Sequence, residues 1–323
     1  WIMMTTRIIG TGSALPAHTL TNDDLAKFLD TSDEWIRTRT GIRSRQLAGD
    51  EESAVTLAAE AGRKALEDGK VRPEEIQMVF VATCSSENYF PSVGCRVQEA
   101  LGLTNASAMD LSAACSGFLF ALHTAHAYIM SGYCDTALVI GTETLSRTID
   151  WADRSTCVLF GDGAGACVVR KDEKGVLDII QHSDGTRGDV LTASTERTPT
   201  PTSSARKSLP MYMDGQAVFR FAVKTVPECI QELMEKTGRS LDEVDHVVLH
   251  QANSRIIESV AKRLHMPLEK FAMNLDRHGN TSAASIPILL DEMNRDKILK
   301  KGDLVLLSGF GAGLTWGAAL IIW

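Results

Sequence analysis

The sequence has no apolar run near the roughly 18 residues that a membrane-spanning helix requires. Its beginning, Trp1-Ile2-Met3-Met4-Thr5-Thr6, lacks the basic region and apolar core of a secretory signal, which points to a cytoplasmic chain with no membrane partner. Whether Trp1 and Ile2 are an appended remnant or part of an upstream start is open. Positive charge is in deficit: 33 Lys and Arg against 41 Asp and Glu leave a net charge of -8 and a pI near 5.5. Such a surface repels phosphates unless a local basic patch overrides it, so no nucleic-acid partner is expected. The seven cysteines form no Cys-x-x-Cys pair and no Cys/His group with zinc spacing. Neither a disulfide framework nor a metal site is expected, and most of the thiols read as reduced and buried. Long biased tracts are missing too, and 44% hydrophobic with 23% charged residues is the composition of a globular enzyme.

What is present is an internal echo. Glu75-Ile76-Gln77-Met78-Val79-Phe80-Val81-Ala82 is an acidic turn followed by a short apolar strand, and Glu243-Val244-Asp245-His246-Val247-Val248-Leu249-His250 repeats it. Asp135-Thr136-Ala137-Leu138-Val139-Ile140-Gly141 likewise matches Asp303-Leu304-Val305-Leu306-Leu307-Ser308-Gly309. Both 250 minus 82 and 303 minus 135 give 168, so two separate anchors agree. Between them the first half reads helix, strand, helix over 93–101, 108–111 and 116–131. The second half gives 254–264, 271–275 and 282–295. With 323 residues the chain suits two units of ~150 to 170 residues. Strands alternating with helices imply parallel sheets, and the duplication implies an α/β fold of five layers, αβαβα, from two pseudo-equivalent halves. The halves are expected at 1–175 and 176–323, with a loop insertion near 183–210. That insertion is rich in Ser and Thr, carries Pro199 and Pro201 and lacks an apolar period. A mobile lid and a plain loop both fit it.

Ala113-Ala114-Cys115-Ser116-Gly117 follows a short strand and opens the apolar helix 118–130. A free thiol of pKa ~8.5 is only about 3% thiolate at pH 7, whereas a helix start can bring it to ~3.5 to 7.5. Alone, Cys115 reads equally well as a buried structural thiol. Its partners change that. His250 ends the strand 247–249, and Asn280 lies in a polar Gly-Asn turn that the repeat brings opposite the nucleophile. A neutral imidazole and a carboxamide both donate hydrogen bonds to an enolate, and the amide cannot surrender its proton to it. Gly309-Phe310-Gly311-Ala312-Gly313 lets backbone approach, so that one amide there and that of Cys115 form an oxyanion hole worth ~3 kcal/mol per donor. It is not a dinucleotide loop, because no helix with a following acidic residue comes after it; the same holds for Gly161-Asp162-Gly163-Ala164-Gly165 and for Gly10-Thr11-Gly12.

With these residues in view the chain resembles β-ketoacyl-acyl carrier protein synthase III, the initiating condensing family of the thiolase superfamily. The likeness runs from Ile9-Gly10-Thr11-Gly12-Ser13 through Thr31-Ser32-Asp33-Glu34-Trp35-Ile36, Thr38-Arg39-Thr40-Gly41-Ile42-Arg43 and the Cys115 turn. It continues through Phe160-Gly161-Asp162-Gly163-Ala164-Gly165, His250-Gln251-Ala252-Asn253, 277–285 and Thr315-Trp316-Gly317. The resemblance implies a thiolase-like fold and a decarboxylative Claisen condensation. A short acyl-CoA acylates Cys115; malonyl-acyl carrier protein then loses carbon dioxide while His250 and Asn280 hold its thioester carbonyl. It further implies that Trp35 and Arg154 flank the CoA adenine, that Arg39 lies near the phosphates, and that Gly215 and Asn253 line the pantetheine arm. Phe90 would close the acyl pocket across a homodimer interface, with Phe310 also on that pocket, and CoA would be a substrate rather than a cofactor. Where relatives often have three glycines this chain has Gly311-Ala312-Gly313; Ala312 keeps its amide for the oxyanion hole. Arg255, Lys262 and Arg263 share a helical face by spacing and suit an acidic carrier protein, although a solvated face fits equally.

The closest alternative is a thiolase-fold synthase making a polyketide, quinolone or ester with the same three residues. A Cys-dependent thioester hydrolase also uses Cys, His and Asn in this order, but the repeat speaks against it. A silent scaffold is disfavoured by the presence of all three reactive groups. The primer, whether acetyl, propionyl or branched, and the pathway served are open.

Overall fold

The computed structural model describes residues 3–323; Trp1 and Ile2, whose origin the sequence leaves open, lie outside the described residues. The run Met78–Ala82 is apolar at every position and forms a strand buried on both faces. Alternation sends Phe80 and Ala82 to one side and Val79 and Val81 to the other. It belongs to a five-stranded sheet in the order Thr5–Ala14, Gly163–Asp172, Thr136–Glu143, Met78–Ala82, Ser107–Leu111. A second sheet of four strands runs His246–Leu249, Leu304–Gly311, Thr315–Ile322, Val176–Ser183.

Among the described strands, parallel ladders join Met78–Ala82 to its two neighbours and His246–Leu249 to Leu304–Gly311. The other strands pair antiparallel, so both sheets are mixed rather than parallel. The reason lies in the connections. A parallel pair needs a crossover of a dozen or more residues, usually a helix, whereas Leu304–Gly311 turns back into Thr315–Ile322 within a few residues.

Three buried clusters define the layers. Helices Gly117–Met130 and Ser285–Arg295 lie between the sheets, joining Phe80, Val139 and Val169 of one to Val305, Leu307 and Ala319 of the other. Gly117–Met130 is apolar nearly all round, as a helix between two sheets must be. Helix Ala54–Gly69 covers the outer face of the first sheet, and helices Gly215–Thr237 and Ser254–Arg263 cover that of the second. Five layers, αβαβα, result. Gly12 shows how tightly they meet: a Cβ there would lie 2.2 Å from the Ala61 carbonyl oxygen of the covering helix.

The repeat extends beyond its two anchors. Strand Thr136–Glu143 and strand Leu304–Gly311 correspond at both ends, and so do the 3-10 turns Pro73–Glu75 and Leu241–Glu243. The turns Ala114–Ser116 and Ser282–Ala284 also match, 282 minus 114 again being 168. One element breaks the symmetry. The strand expected over 271–275 is reduced to a single bridge from Phe271 to Val247, and Leu275–His278 is a short helix. The Gln251 side chain takes the ladder's place, donating to the Leu249 and Ala272 carbonyls and accepting from the Asn274 amide.

The 183–210 insertion is more regular than its composition implies. A 3-10 segment Gly185–Val190 leads into a hairpin of Leu191–Ser194 with Leu209–Met213, continued outward by the bridges Arg197 to Arg206 and Thr200 to Ser203. Among the described residues no helix is long and apolar enough to cross a membrane.

Candidate active site

Strand Ser107–Leu111 delivers the chain to Ala114, which sits at φ +45°, a left-handed conformation costing an L-residue roughly 1–2 kcal/mol. That turn sets Cys115 just ahead of Gly117, the first residue of the central helix. Thr315 and Ser116 bolt it in place: Thr315 Oγ1 donates to the Ala113 carbonyl at 3.1 Å and Ser116 Oγ to the Thr315 carbonyl at 3.0 Å. Gly311, ending strand Leu304–Gly311, runs directly against Cys115. A Cβ there would lie 2.6 Å from the Cys115 nitrogen and 3.0 Å from its Cβ.

Burial pushes the Cys115 thiol up to about 12; hydrogen bonding from the Ser282 hydroxyl pulls it back and the Glu143 carboxylate adds to the rise. Only 8% of the Cys115 residue is exposed, and this desolvation disfavours the thiolate, whereas the helix start at Gly117 favours it.

His250 continues the parallel ladder by donating its amide to the Ser308 carbonyl at 2.8 Å. Its ring lies edge-on to Phe310, centroids 5.4 Å apart, and burial lowers the imidazole to about 3, which keeps it neutral. Nδ1 is 2.7 Å from Ser285 Oγ, which also accepts from the Gln251 amide at 3.4 Å. In the tautomer where Ser285 donates to Nδ1, the ring's own hydrogen sits on Nε2. Asn280 is held by backbone pairing with the opposite half: its amide donates to Leu159 and its carbonyl accepts from Gly161. The Ser282 amide donates to Asn280 Oδ1 at 2.8 Å, leaving the NH2 group as the free end.

Cys115, His250 and Asn280 line one cavity of about 970 Å³, together with Phe310 and Gly311. Trp35, Arg39, Arg154, Gly215, Asn253 and Arg255 line the same cavity. The Arg39 and Arg154 guanidinium carbons stand 4.5 and 4.8 Å from the Trp35 ring centroid. Asn253 spends its side-chain oxygen on capping helix Ser254–Arg263. Beyond Cys115 lies a second cavity of about 530 Å³, lined among others by Cys84, Leu145, Phe160, Met211 and Ala312. Phe310 sits on the His250 side, not among the residues lining this smaller cavity. Phe90 lines neither cavity; it is 85% exposed beside Tyr89. Lys262 and Arg263 lie outside both, and Arg263 donates to the Val223 carbonyl.

Several residues at the site escape sequence reasoning. Cys84 is not a core thiol: it follows the strand Met78–Ala82 and opens onto the smaller cavity. Leu191 and Met211 reach that cavity from the hairpin, which composition alone describes as a surface loop. Glu143, fully buried, receives hydrogen bonds from Ser85, Cys84 and Ser282, and burial pushes its carboxyl up to about 7. One signal was available, since a lone Glu at the end of the apolar strand 136–143 is out of place in a core.

Comparison with known proteins gives one answer. Residues 109–185 match the model described as 3-oxoacyl-[acyl-carrier-protein] synthase III, and residues 234–323 match its C-terminal model. The β-ketoacyl-[acyl-carrier-protein] synthase III of Clostridium acetobutylicum is 47% identical, with 99% of each chain covered. The crystal structure of 3-oxoacyl-[acyl-carrier-protein] synthase III from Aquifex aeolicus VF5 superimposes with a TM-score of 0.91 at 45% identity, covering 98% of this chain and all of that one. The priming β-ketosynthase of the R1128 polyketide biosynthetic pathway reaches 0.92 at 37% identity, covering 98% of this chain and 96% of that one.

Proposed function

The chain belongs to the 3-oxoacyl-[acyl-carrier-protein] synthase III family, and from this premise we infer how its own residues carry the reaction. It is an acyltransferase that condenses a short acyl-CoA with malonyl-acyl carrier protein, losing carbon dioxide, to give a 3-oxoacyl-acyl carrier protein and begin fatty acid synthesis. A hydrolase reading is set aside by that membership. The observation that carries the assignment of roles is the convergence of Cys115, His250 and Asn280 on one buried cavity.

In the first half-reaction Cys115 Sγ attacks the acyl-CoA carbonyl. The Cys115 and Ala312 amides receive the oxyanion, each worth ~3 kcal/mol. The acyl chain then occupies the smaller cavity and the CoA arm the larger. Gly215 supports that path, since a Cβ there would meet nothing closer than 3.9 Å. Trp35 with Arg39 and Arg154 forms the mouth, where a base stacks and phosphates find positive charge in an acidic protein.

In the second half-reaction malonyl thioester replaces CoA. His250 donates from Nε2 and Asn280 from its NH2 to the thioester oxygen, stabilising the enolate as carbon dioxide leaves. Neither group protonates the carbanion: the imidazole is neutral, held there by burial, and the carboxamide keeps its hydrogens. The enolate attacks the acyl thioester and frees Cys115. CoA enters as substrate, and the chemistry calls on no cofactor or metal.

We assign the nucleophile to a half spanning 1–175 and its partners to a half spanning 176–323; strands ending at Asp172 and beginning at Val176 lie in different sheets. A cytoplasmic homodimer is proposed. Strand Ser107–Leu111 is an unpaired sheet edge, and Tyr89 and Phe90, 79% and 85% exposed, are apolar residues that a partner copy would cover. Arg255 at the cavity mouth, with Lys262 and Arg263 further along its helix, would dock the acidic carrier protein. The likeness to the R1128 priming enzyme supports a second reading of the pathway, in which the product primes a polyketide.

Incubation with acetyl-CoA should add one acyl group per chain, mapped by mass spectrometry to Cys115. His250→Ala or Asn280→Ala should slow malonyl decarboxylation ~10²- to 10³-fold and acylation far less. Acyl label elsewhere, or equal loss in both half-reactions, overturns the assignment of roles.

A further inference from the structure

Glu143 has no part in the chemistry above, yet it is wholly enclosed, 0% exposed at the end of strand Thr136–Glu143. A buried carboxyl needs donors, and those that meet it come from two places. Within the first half, Ser85 Oγ donates to Oε2, and the Cys84 amide and thiol lie 3.3 Å from Oε1. From the second half, Ser282 Oγ donates to Oε1 at 3.3 Å. The strand is shaped for that meeting. Gly141 shares a face with Glu143, and a Cβ on it would lie 2.0 Å from the Ala283 carbonyl oxygen, so the turn Ser282–Ala284 rests on the strand end itself.

The contact matters because of what the turn holds. Backbone pairing with Leu159 and Gly161 fixes the main chain of Asn280 but not its carboxamide. The carboxamide is oriented by the Ser282 amide, which donates to Oδ1 at 2.8 Å. Ser282 does so from φ +51°, a left-handed conformation that an L-residue keeps only where its surroundings enforce it. The repeat shows what enforces it. Ser282 answers to Ala114 and Ala284 to Ser116, so each three-residue turn carries a single hydroxyl, at opposite ends. The Ser116 hydroxyl donates to the Thr315 carbonyl and the Ser282 hydroxyl to Glu143, each reaching a strand of the opposite half. The first turn is thus tethered to backbone, and the second to one side chain.

We propose that Glu143 is a positioning residue for the malonyl half-reaction: through the Ser282 hydroxyl it holds the 280–282 turn so that Asn280 presents its NH2 group, and not its oxygen, to the thioester. Glu143 touches neither substrate nor the reacting atoms. Its bonds to Ser85 and Cys84 stay within the first half, so Ser282→Ala cuts the tether alone and leaves them in place. Alanine is also compatible with the backbone there, since Ala114 holds φ +45° at the equivalent position. The proposal rests on Asn280 holding the malonyl thioester carbonyl.

The test compares the two half-reactions in the full chain. Mass spectrometry follows acylation by acetyl-CoA and counts the chains able to be acylated. Release of labelled carbon dioxide from malonyl-acyl carrier protein, expressed per acylatable chain, follows decarboxylation and removes any contribution from misfolded protein. Ser282→Ala and Glu143→Leu should each slow decarboxylation ~10- to 10²-fold, as expected for a displaced but still present donor, and leave acylation nearly unchanged. Glu143→Gln keeps an acceptor for the Ser282 hydroxyl and should restore most of the rate. In an Asn280→Ala background, Ser282→Ala should slow decarboxylation no further, because the group it positions is gone. Wild-type decarboxylation in Ser282→Ala, equal loss in both half-reactions, a Gln variant as slow as the Leu variant, or a full extra loss in the Asn280→Ala background would each overturn the proposal. Asn280→Ala that decarboxylates at the wild-type rate would remove the role of Asn280 itself, and the positioning with it.

Discussion

His250 and Glu143 are buried groups displaced in opposite senses, and their effects on stability should cancel. Burial lowers the imidazole from 6.5 to about 3 and raises the carboxyl from 4.5 to about 7. Between pH 4.5 and 6.5 the unfolded chain carries a proton on the histidine that the folded chain lacks, so the histidine term gains stability as pH rises. Over the same window the folded chain keeps a proton on Glu143 that the unfolded chain has released, so the glutamate term loses stability as pH rises. Each slope is about 1.4 kcal/mol per pH unit. Across the two units of overlap each amounts to roughly 2 to 3 kcal/mol, undiminished by screening because both side chains are fully buried. His250→Gln should therefore lose stability relative to wild type as pH rises from 4.5 to 6.5, by about that amount, and Glu143→Gln should gain it. The double variant should again run parallel to wild type. Urea unfolding at fixed protein concentration and ionic strength reads these differences, the fixed concentration removing any contribution from dimerisation. Two single variants whose offsets from wild type stay constant with pH, or drift in the same direction, would refute the reasoning.

Gly311→Ala places a methyl group 2.6 Å from the Cys115 nitrogen, and backbone cannot yield as a side-chain tip does. Acylation by acetyl-CoA should fall ~10²-fold, the cost of misplacing a reacting atom by about 1 Å, and a burst assay showing a near-wild-type rate would contradict the packing. Trp35→Ala should raise KM for acyl-CoA about tenfold with little change in kcat, since one stacking surface is worth about 1–3 kcal/mol. A short acyl-pantetheine without the nucleotide should be used equally well by both proteins in steady-state assays, and a matching loss there would move Trp35 away from the adenine.

The layered plan is legible in sequence because it is written in periodicity. A five-residue strand apolar at every position, 78–82, and its echo at 246–249 demand cover on both faces, and only helices between and outside two sheets provide it. Strand direction is not written there, because it depends on whether a connection includes a helix, and residues 144–162 hold only a short 3-10 turn at 145–148. The strand expected at 271–275 fails for a subtler reason. Its backbone partners are taken by one amide side chain, Gln251, an exchange that leaves no trace in hydropathy.

Cys115, His250 and Asn280 stand out because strand ends and helix starts are where backbone leaves side chains free, and the repeat supplies the relation between them. What sets their protonation is invisible at that level. The helix start favours a thiolate, while desolvation works against it at Cys115 and holds the His250 imidazole neutral. Burial of this kind comes from packing two halves together: the backbone pairing of Asn280 with Leu159 and Gly161 closes the site from the opposite side. The same closure accounts for the hidden residues. Ser282 and Ala114 share a repeat position and a positive φ, so each half strains one residue to aim a turn at the other. In the first half the strained turn presents a sulfur; in the second it presents a hydroxyl backed by a carboxylate.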